Sequence, residues 1–139
     1  MSLSQEAVDE LKIIVSAVEK IFDMAFDVYK TDDLSLAKKI EPLDAVIKKD
    51  VRRAKNNHVQ RLKAGLCSID TGFLFSDLLT DLRRISAHCS NISMSVIQLH
   101  NTKFAKHKYS HRNKEEDADF NLEYKDYKSK YGVNKNYKV

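Results

Sequence analysis

The sequence predicts an all-α fold, an antiparallel bundle of three long helices followed by a short fourth helix at the C-terminus. Apolar residues recur in steps of three and four over long stretches, and no stretch shows the alternation of a half-buried strand. Only 3 Gly and 1 Pro interrupt 139 residues, of which 32% are charged. This balance is typical of long helices with solvated faces. The length suits a single domain with its own core.

The first helix is predicted from an apolar stripe about seven turns long. The stripe consists of Val8, Leu11, Val15, Val18, Phe22, Ala25 and Tyr29. Ile14, Ile21 and Val28 widen it, so this helix is expected to contact more than one neighbour. The polar stretch 30–33 then ends the pattern and supplies cap residues for the next helix.

The second helix is predicted over residues 34–64. Helical spacing is kept by Leu36, Ile40, Leu43, Ile47, Val51, Ala54, His58 and Leu62. Pro42 lies inside this run and cannot continue a regular helix. Either the helix kinks near residues 38–41, or its regular part starts at Pro42, where proline suits a first turn. Gly65 is a suitable stop.

The third helix is predicted from Ser68 or Asp70 to His100. Its apolar stripe consists of Leu78, Leu82, Ile85, Cys89, Ile92, Val96 and Leu99. A polar stripe lies one residue earlier, about 100° round the helix. It consists of Asp77, Asp81, Arg84, His88, Asn91, Ser95 and Gln98.

The C-terminal part is predicted as a polar, basic linker over residues 101–116 and a helix over residues 117–131. Acidic residues at the start of this helix and lysines near its end complement the helix dipole. An aromatic stripe is formed by Phe120, Tyr124, Tyr127 and Tyr131. We expect it to pack back on the bundle; the alternative is a docking site for another protein or a membrane surface. The predicted organisation is a three-helix domain over 1–102, then a basic linker and an amphipathic helix over 103–139.

The charge distribution limits the classes of partner. Residues 1–102 carry 14 basic and 14 acidic side chains, whereas residues 103–139 carry 10 and 6, which accounts for the net charge of +4. A neutral body argues against a nucleic-acid surface. No run approaches the roughly 18 apolar residues of a membrane span, and the start lacks a signal-peptide pattern. Two cysteines do not make a disulfide framework, which favours a reducing, cytoplasmic context.

His88 and Cys89 are neighbours on the third helix. Because they point about 100° apart, they do not converge on one ion or one substrate atom. Cys89 lies on the apolar stripe and is interpreted as a packing cysteine. His88 is interpreted as hydrogen-bonded or solvated; the alternative is a carboxylate–histidine metal site with Asp77 and Asp81. Arg84, one turn from His88, opposes a cation there.

The remaining polar candidates are interpreted as structural. His58 and Arg61 are expected to form a salt-bridged rim, and Glu41 and Asp44 a solvated face rather than a metal clamp. Three further histidines, His100, His107 and His111, offer adventitious metal binding at most. No P-loop, glycine-rich phosphate cradle or nucleophile elbow is present. We therefore predict no enzyme, no catalytic residue, no cofactor and no metal ligand.

Three segments, in this order and spacing, resemble the PhoU family of phosphate-uptake regulators. They are IEPLDAVIKKD (40–50), NHVQRLKAGLCSIDTGFLFSDLL (57–79) and RRISAHCSNIS (83–93). The resemblance is strongest to the PhoU-like domain at the cytoplasmic C-terminus of bacterial sodium/phosphate cotransporters of the NptA type. That branch is similar in the EPL-x-x-V-I stretch, the H-[IV]-x-R-L-x-x-G-x-C turn and the HCSNI ending. The resemblance covers about residues 5–100, and the aromatic tail also resembles the end of those cotransporters.

The resemblance implies a single three-helix PhoU repeat, two of which usually make a whole PhoU protein. The missing repeat and a transmembrane region are then expected upstream, in a longer protein of which this chain is a piece. A lone repeat leaves an apolar helix face uncovered, which agrees with the broad stripe on the first helix. We therefore expect a homodimer.

The resemblance also bears on metal binding. PhoU proteins often carry a Glu-x-x-x-Asp pair on the third helix that binds metal clusters, and the matching positions here are Arg83 and Ala87. Both carboxylates are absent and one is replaced by a cation. The surrounding face consists of Ser76, Thr80, Arg83, Ala87, Ser90 and Met94. Because a metal needs converging anionic or imidazole donors, we interpret the site as emptied. Residues 88–92 match the family pattern and are expected to serve packing.

Three functions follow as hypotheses. The first is a non-enzymatic regulatory domain of a sodium-dependent inorganic phosphate cotransporter, on the cytoplasmic side of the membrane. It would act by helix packing against the transmembrane part of the same transporter or a phosphate-signalling protein. The second is a free-standing PhoU-like adaptor for a histidine kinase or an ABC-type phosphate transporter. The third is a metal-binding helical bundle that uses His88 with the Asp77 and Asp81 face.

Overall fold

The computed structural model describes residues 3–104 and 114–134, and the side chains of 3–101 and 117–134. The helices are α1 (Gln5–Thr31), α2 (Leu34–Ala37), α3 (Ile40–Lys63), α4 (Ile69–Phe104) and α5 (Lys114–Tyr131). The three long helices α1, α3 and α4 contact one another, and α5 packs on α3 and α1. Neither described range contains a strand. The prediction of an all-α bundle of three long helices with a shorter C-terminal helix is confirmed.

The ends of α1 and α2 are fixed by polar side chains. At the start of α1, Ser4 Oγ accepts a hydrogen bond from the backbone N–H of Ala7 at 3.2 Å. Asp32 ends α1 in the left-handed conformation, with φ 54°. Asp33 Oδ1 then accepts from the backbone N–H of Leu36 at 3.1 Å and so caps α2. These bonds satisfy helix-end N–H groups that lack an intrahelical partner, and they confirm the predicted break at residues 30–33.

Pro42 determines where the second long helix begins. α2 ends at Ala37, and α3 starts at Ile40, so that Pro42 is the third residue of α3. In the first turn the missing N–H of proline costs nothing, because that group has no intrahelical partner anyway. The predicted interruption near residues 38–41 is confirmed. Its result is a separate one-turn helix rather than a kink.

The core lies on a different side of α1 from the predicted stripe. Ile14, Ile21 and Val28, which were expected only to widen that stripe, are all 0% exposed. In contrast, Phe22 is 56% and Tyr29 73% exposed. Phe22 and Tyr29 of that stripe therefore lie outside the core, and α1 presents its second apolar side to solvent.

The core side of α4 is also displaced from its predicted stripe. Four of the seven stripe residues are at least 40% exposed, namely Leu78, Ile85, Ile92 and Leu99. The buried side instead consists of Thr71, Gly72, Phe75, Leu79, Ser86, Cys89, Ser93 and Ile97. Its two serines are hydrogen-bonded, Ser86 to Asp44 Oδ1 and Ser93 to the carbonyl of Ala37, both at 2.6 Å. Since their hydroxyls are satisfied, these small residues can line the core. All seven residues of the predicted polar stripe are exposed.

The helix α5 packs back on the bundle as expected. Tyr127 is 6% exposed, and the other aromatic residues of its stripe are half-buried. Val133, just after the helix, is 1% exposed. The helix α4 continues past the expected end at His100 to Phe104. The predicted linker residues 105–113 lie outside the described residues. The division into domains at residue 102 stays a prediction.

Candidate functional site

The positions that the resemblance singles out on α4 hold an ion pair. Arg83 Nη1 lies 2.8 Å from Asp44 Oδ1 on α3, and the Ser86 hydroxyl donates to the same oxygen at 2.6 Å. Nearby, Lys55 Nζ donates to Thr80 Oγ1 at 2.9 Å. Asp44 is therefore half-buried and paired, and its interpretation as part of a solvated face is wrong. A carboxylate already paired with a guanidinium, with a second cation at Thr80 one turn away on α4, is the wrong donor set for a metal, so a PhoU-type metal cluster does not fit here.

The alternative metal face around His88 is open to solvent. His88, Asp77 and Asp81 are exposed, and Arg84 Nη1 lies 4.0 Å from Asp81 Oδ1. Over the described ranges, no three His, Cys, Asp or Glu side chains come together in a way that could hold an ion. His107 and His111 lie outside those ranges. The absence of metal binding stays a prediction.

Cys89 is a buried thiol. Its residue is 3% exposed, which confirms its interpretation as a packing residue. Burial raises the pKa of this thiol, and the negative charge of Asp44 raises it further. Because the thiolate is the reactive form, Cys89 is unsuited to act as a nucleophile.

Arg61 and Glu10 form a buried ion pair between α3 and α1. Arg61 is 1% and Glu10 2% exposed, and Arg61 Nη1 lies 2.6 Å from Glu10 Oε1. A second bond joins Arg61 Nη2 to Glu10 Oε2 at 3.4 Å. The guanidinium also lies 5.6 Å from the ring centroid of Phe75. The predicted salt bridge of Arg61 exists, but its placement on a rim is wrong. The pair joins the end of α3 to the start of α1, which fixes their antiparallel register.

His58 belongs to the same buried layer. It is 6% exposed, and its ring centroid lies 5.2 Å from that of Phe75. Burial lowers the pKa of His58, and the positive charge of Arg61 lowers it further, so the ring is neutral at pH 7. A Cβ on Gly72 would lie 2.5 Å from His58 Nε2. Glycine at position 72 therefore lets this histidine pack against α4, and the rim prediction for His58 is wrong.

Exposed apolar residues form a second feature, which we call the α1–α4 face. It consists of Val15, Phe22, Phe26 and Tyr29 on α1 and Leu78, Ile85, Ile92 and Leu99 on α4. The helices α1 and α4 contact each other and run in the same direction, since each is antiparallel to α3. The sides of these helices that meet α3 carry Glu10 and Arg83. At about 100° per residue, both exposed stripes lie on sides turned away from α3. They therefore flank the contact between α1 and α4.

The α1–α4 face is large for a monomer surface. Taking Phe and Tyr as about 200 Å² each, and adding the half-exposed aliphatic residues, it amounts to roughly 700 Å² of apolar surface. Isolated soluble proteins rarely leave more than a few hundred Å² contiguous. A standard protein interface buries about 800 Å² per partner. The apolar stripes from which the sequence predicted α1 and α4 therefore also indicate this exposed surface.

A third feature, absent from the sequence predictions, is a polar groove on α3 beneath the end of α5. Asp50 Oδ1 accepts from the backbone N–H of Val133 at 2.9 Å, and Arg53 Nη1 donates to the carbonyl of Val133 at 3.0 Å. Asn57 Nδ2 donates to the carbonyl of Asn134 at 3.1 Å. Burial raises the pKa of Asp50 to about 6, although the Val133 N–H and the charges of Arg53 and Lys49 act to lower it. These polar residues lie among the many charges of α3, so nothing in the sequence pattern distinguished them.

Comparison with known proteins assigns the fold to a family. The model of the PhoU domain matches residues 11–96. The chain belongs to the PhoU domain family. Among curated proteins, it is similar to a phosphate-specific transport system accessory protein, PhoU homolog 1 of Thermotoga maritima, at 26% identity over 94 residues. This alignment covers 68% of the present chain but only 40% of the relative. No solved structure gives a significant match.

The matched region has two consequences. The resemblance to PhoU proteins is confirmed over the three long helices, whereas α5 and the groove contacts of residues 133–134 lie outside residues 11–96. Within the described parts of the chain, no helix is both long and apolar enough to cross a membrane.

Proposed function

We propose that this chain is a regulatory domain, without catalytic activity of its own, of a sodium-dependent inorganic phosphate cotransporter. It lies on the cytoplasmic side of the membrane and acts by helix packing. The observation that carries the proposal is the α1–α4 face. Membership of the PhoU family supports a role in phosphate transport, and the similar protein of Thermotoga maritima is described as a transport-system accessory protein.

The chemistry of the described residues supports regulation through contacts with another protein rather than through a metal or a reactive thiol. Arg83 pairs with Asp44 at the position where the resemblance places the family's metal pair, and Cys89 is a buried thiol. In contrast, the α1–α4 face presents Phe22, Phe26 and Tyr29 next to a row of aliphatic residues. Aromatic residues of this kind supply much of the energy of protein interfaces. We therefore expect the partner protein to bind at this face.

We also propose that two copies of the isolated chain cover each other's α1–α4 face. Val15, Phe22 and Tyr29 are spaced by seven residues, as are Leu78, Ile85, Ile92 and Leu99. Seven-residue apolar spacing suits packing of one helix along another. A surface that pairs with itself forms a closed two-fold dimer. In the complete transporter, the membrane domain or an upstream repeat competes for the same surface.

The test is site-directed photocrosslinking in the complete gene product. A benzophenone side chain placed at position 22 lies in the α1–α4 face. The control is position 73, where Phe73 is 68% exposed near the start of α4, outside that face. We expect crosslinks from position 22 to transmembrane segments of a sodium/phosphate cotransporter, or to a second copy, and none from position 73. Equal crosslinking at both positions would contradict packing through this face.

The same experiment distinguishes the second candidate function, a free-standing adaptor. The accessory role of the Thermotoga maritima relative favours it. Crosslinks from position 22 to a histidine kinase or an ABC-type phosphate transporter would support the adaptor and contradict the cotransporter domain. Phe22→Ser is further expected to alter sodium-dependent phosphate uptake by the cotransporter, whereas Phe73→Ser leaves it unchanged.

A further inference from the structure

Val133 and Asn134 are held on α3 through their backbone groups. We propose that the surface of α3 and α1 beneath α5 is a peptide-binding groove, and that the chain's own residues 114–134 are its docked ligand. We call these residues the C-terminal segment, and the groove is defined by Asp50, Arg53, Asn57 and Met24. The ligand class is a short aromatic helix followed by a buried aliphatic residue. This inference does not depend on the proposed role in phosphate transport.

Three side chains of the groove form hydrogen bonds with the backbone of the C-terminal segment. Asp50 accepts from the N–H of Val133 and Arg53 donates to its carbonyl, while Asn57 donates to the carbonyl of Asn134. One residue thus has both of its backbone groups bonded to one helix face. Binding through backbone groups is how extended peptides are commonly held, with side-chain pockets adding specificity.

Two buried side chains of the segment, Tyr127 and Val133, supply that specificity. Val133 is 1% exposed, next to the polar contacts. Tyr127, one helical turn and a half earlier, is 6% exposed, and its hydroxyl lies 3.8 Å from the sulfur of Met24 on α1. A ligand therefore needs a large aromatic residue six positions before a small aliphatic one.

The C-terminal segment buries fewer side chains than the three long helices do. Among its described helical residues only Tyr127 is buried, and α5 packs on α3 and α1 without reaching the described part of α4. Tyr127 and Val133 belong to the hydrophobic core cluster, but most of its other members, such as Ile14, Ile21 and Phe75, lie on the three long helices. The segment also lies outside the PhoU match at residues 11–96. Such an element can open separately from the core.

Docking also carries a cost within the groove. Asp50 is 2% exposed, and its Oδ2 is buried without a hydrogen-bond partner in the described structure. A buried polar atom left unpaired opposes the bound state. Release of the segment returns this oxygen to water, which makes the contact exchangeable.

The experiment uses the full chain with a disabled segment. Tyr127→Ala combined with Val133→Asp removes both buried apolar side chains from the tethered segment. The probe is a fluorescein-labelled peptide of residues 114–139. We expect saturable binding to this variant, and binding at least about tenfold weaker to the wild type, where the tethered segment competes at a high effective concentration.

Two controls distinguish peptide binding in the groove from nonspecific binding of the peptide to the protein. Adding Arg53→Ala to the disabled variant removes one backbone contact and should weaken peptide binding about tenfold, in line with the loss of a hydrogen bond to a charged group. A peptide carrying Val133→Asp should not bind. Failure of the wild-type peptide to bind a folded disabled variant would overturn the proposal, as would equal binding to all three proteins.

Hydrogen exchange of the wild-type chain covers the case in which the disabled variant does not fold. We expect the amides of residues 117–131 to exchange much faster than those in the centre of α3. Equal protection of α5 and α3 would mean that the segment unfolds only with the core, and the proposal would then be wrong.

Discussion

The buried pair of Glu10 and Arg61 gives a sharp test of how α1 and α3 are joined. In Glu10→Ala the guanidinium of Arg61 keeps its buried position but loses the carboxylate that lies 2.6 Å from it. We expect a large loss of stability, because an uncompensated buried charge is far more costly than a missing surface ion pair.

The magnitude follows from the burial of both partners. Removing one partner of a buried ion pair costs about 3–5 kcal/mol. Glu6 lies 4.0 Å from Arg61 and is 53% exposed, so it compensates for part of the lost charge. We therefore expect a cost near the lower limit, about 3 kcal/mol. With an m-value of about 2 kcal/mol/M in urea, the midpoint of unfolding falls by about 1.5 M.

Urea unfolding followed by circular dichroism measures this shift. Glu6→Ala is the matched control, since the same residue type is removed from the same helix, and it should cost less than about 0.5 kcal/mol. Replacing both partners, Glu10→Leu with Arg61→Met, should recover most of the loss because no buried charge remains. The reasoning is refuted if Glu10→Ala costs no more than Glu6→Ala.

Three further predictions concern the groove, the buried histidine and the thiols. Because the folded pKa of Asp50 is raised to about 6, docking of the C-terminal segment takes up a proton. Docking is strongest below the ordinary pKa of the carboxyl and weakens as pH rises through 6. Peptide binding to the disabled variant should therefore weaken roughly tenfold from pH 5 to pH 7, and Asp50→Asn should remove this dependence. Gly72→Ala forces the ring of His58 to move and should cost about 1–3 kcal/mol in urea unfolding; an unchanged midpoint would show that the ring moves freely. An aromatic disulfide reagent should modify the half-buried Cys67 well before the buried Cys89; equal rates would contradict the burial of Cys89.

The sequence predicted the helices well because their signals are local. Pro42, the caps near Asp33 and the long three-four spacings depend only on neighbouring residues, and each element lies close to its predicted bounds. The resemblance to the PhoU family rests instead on the motifs in residues 40–50, 57–79 and 83–93, and the match over residues 11–96 confirms it.

The side of each helix that faces the core could not be predicted in the same way. On α4 the buried line runs through Ser86 and Ser93, whose hydroxyls are satisfied by Asp44 and the carbonyl of Ala37, far away in sequence. A prediction from residue polarity alone expects these serines at the surface and expects the neighbouring apolar stripe to face the core. That stripe is exposed because one three-helix bundle offers nothing to cover it.

Long-range polar partners account for the remaining differences. Arg61 is buried because Glu10 lies opposite it on α1, although the two are 51 residues apart. Asp50 is buried because Val133, 83 residues later in the chain, packs over it. Neither partner is visible from local spacing, so charged residues on α3 were expected at the surface.

Elemental analysis most directly tests whether this domain acts by contact rather than through bound metal. The purified chain is incubated with iron, zinc and manganese, washed and compared with Arg83→Glu/Ala87→Asp, which places two carboxylates near Asp44. We expect the wild type to hold no stoichiometric metal and the double variant to gain it, because only the variant offers converging anionic donors. About one ion per wild-type chain would contradict this expectation and direct attention to His88 with Asp77 and Asp81.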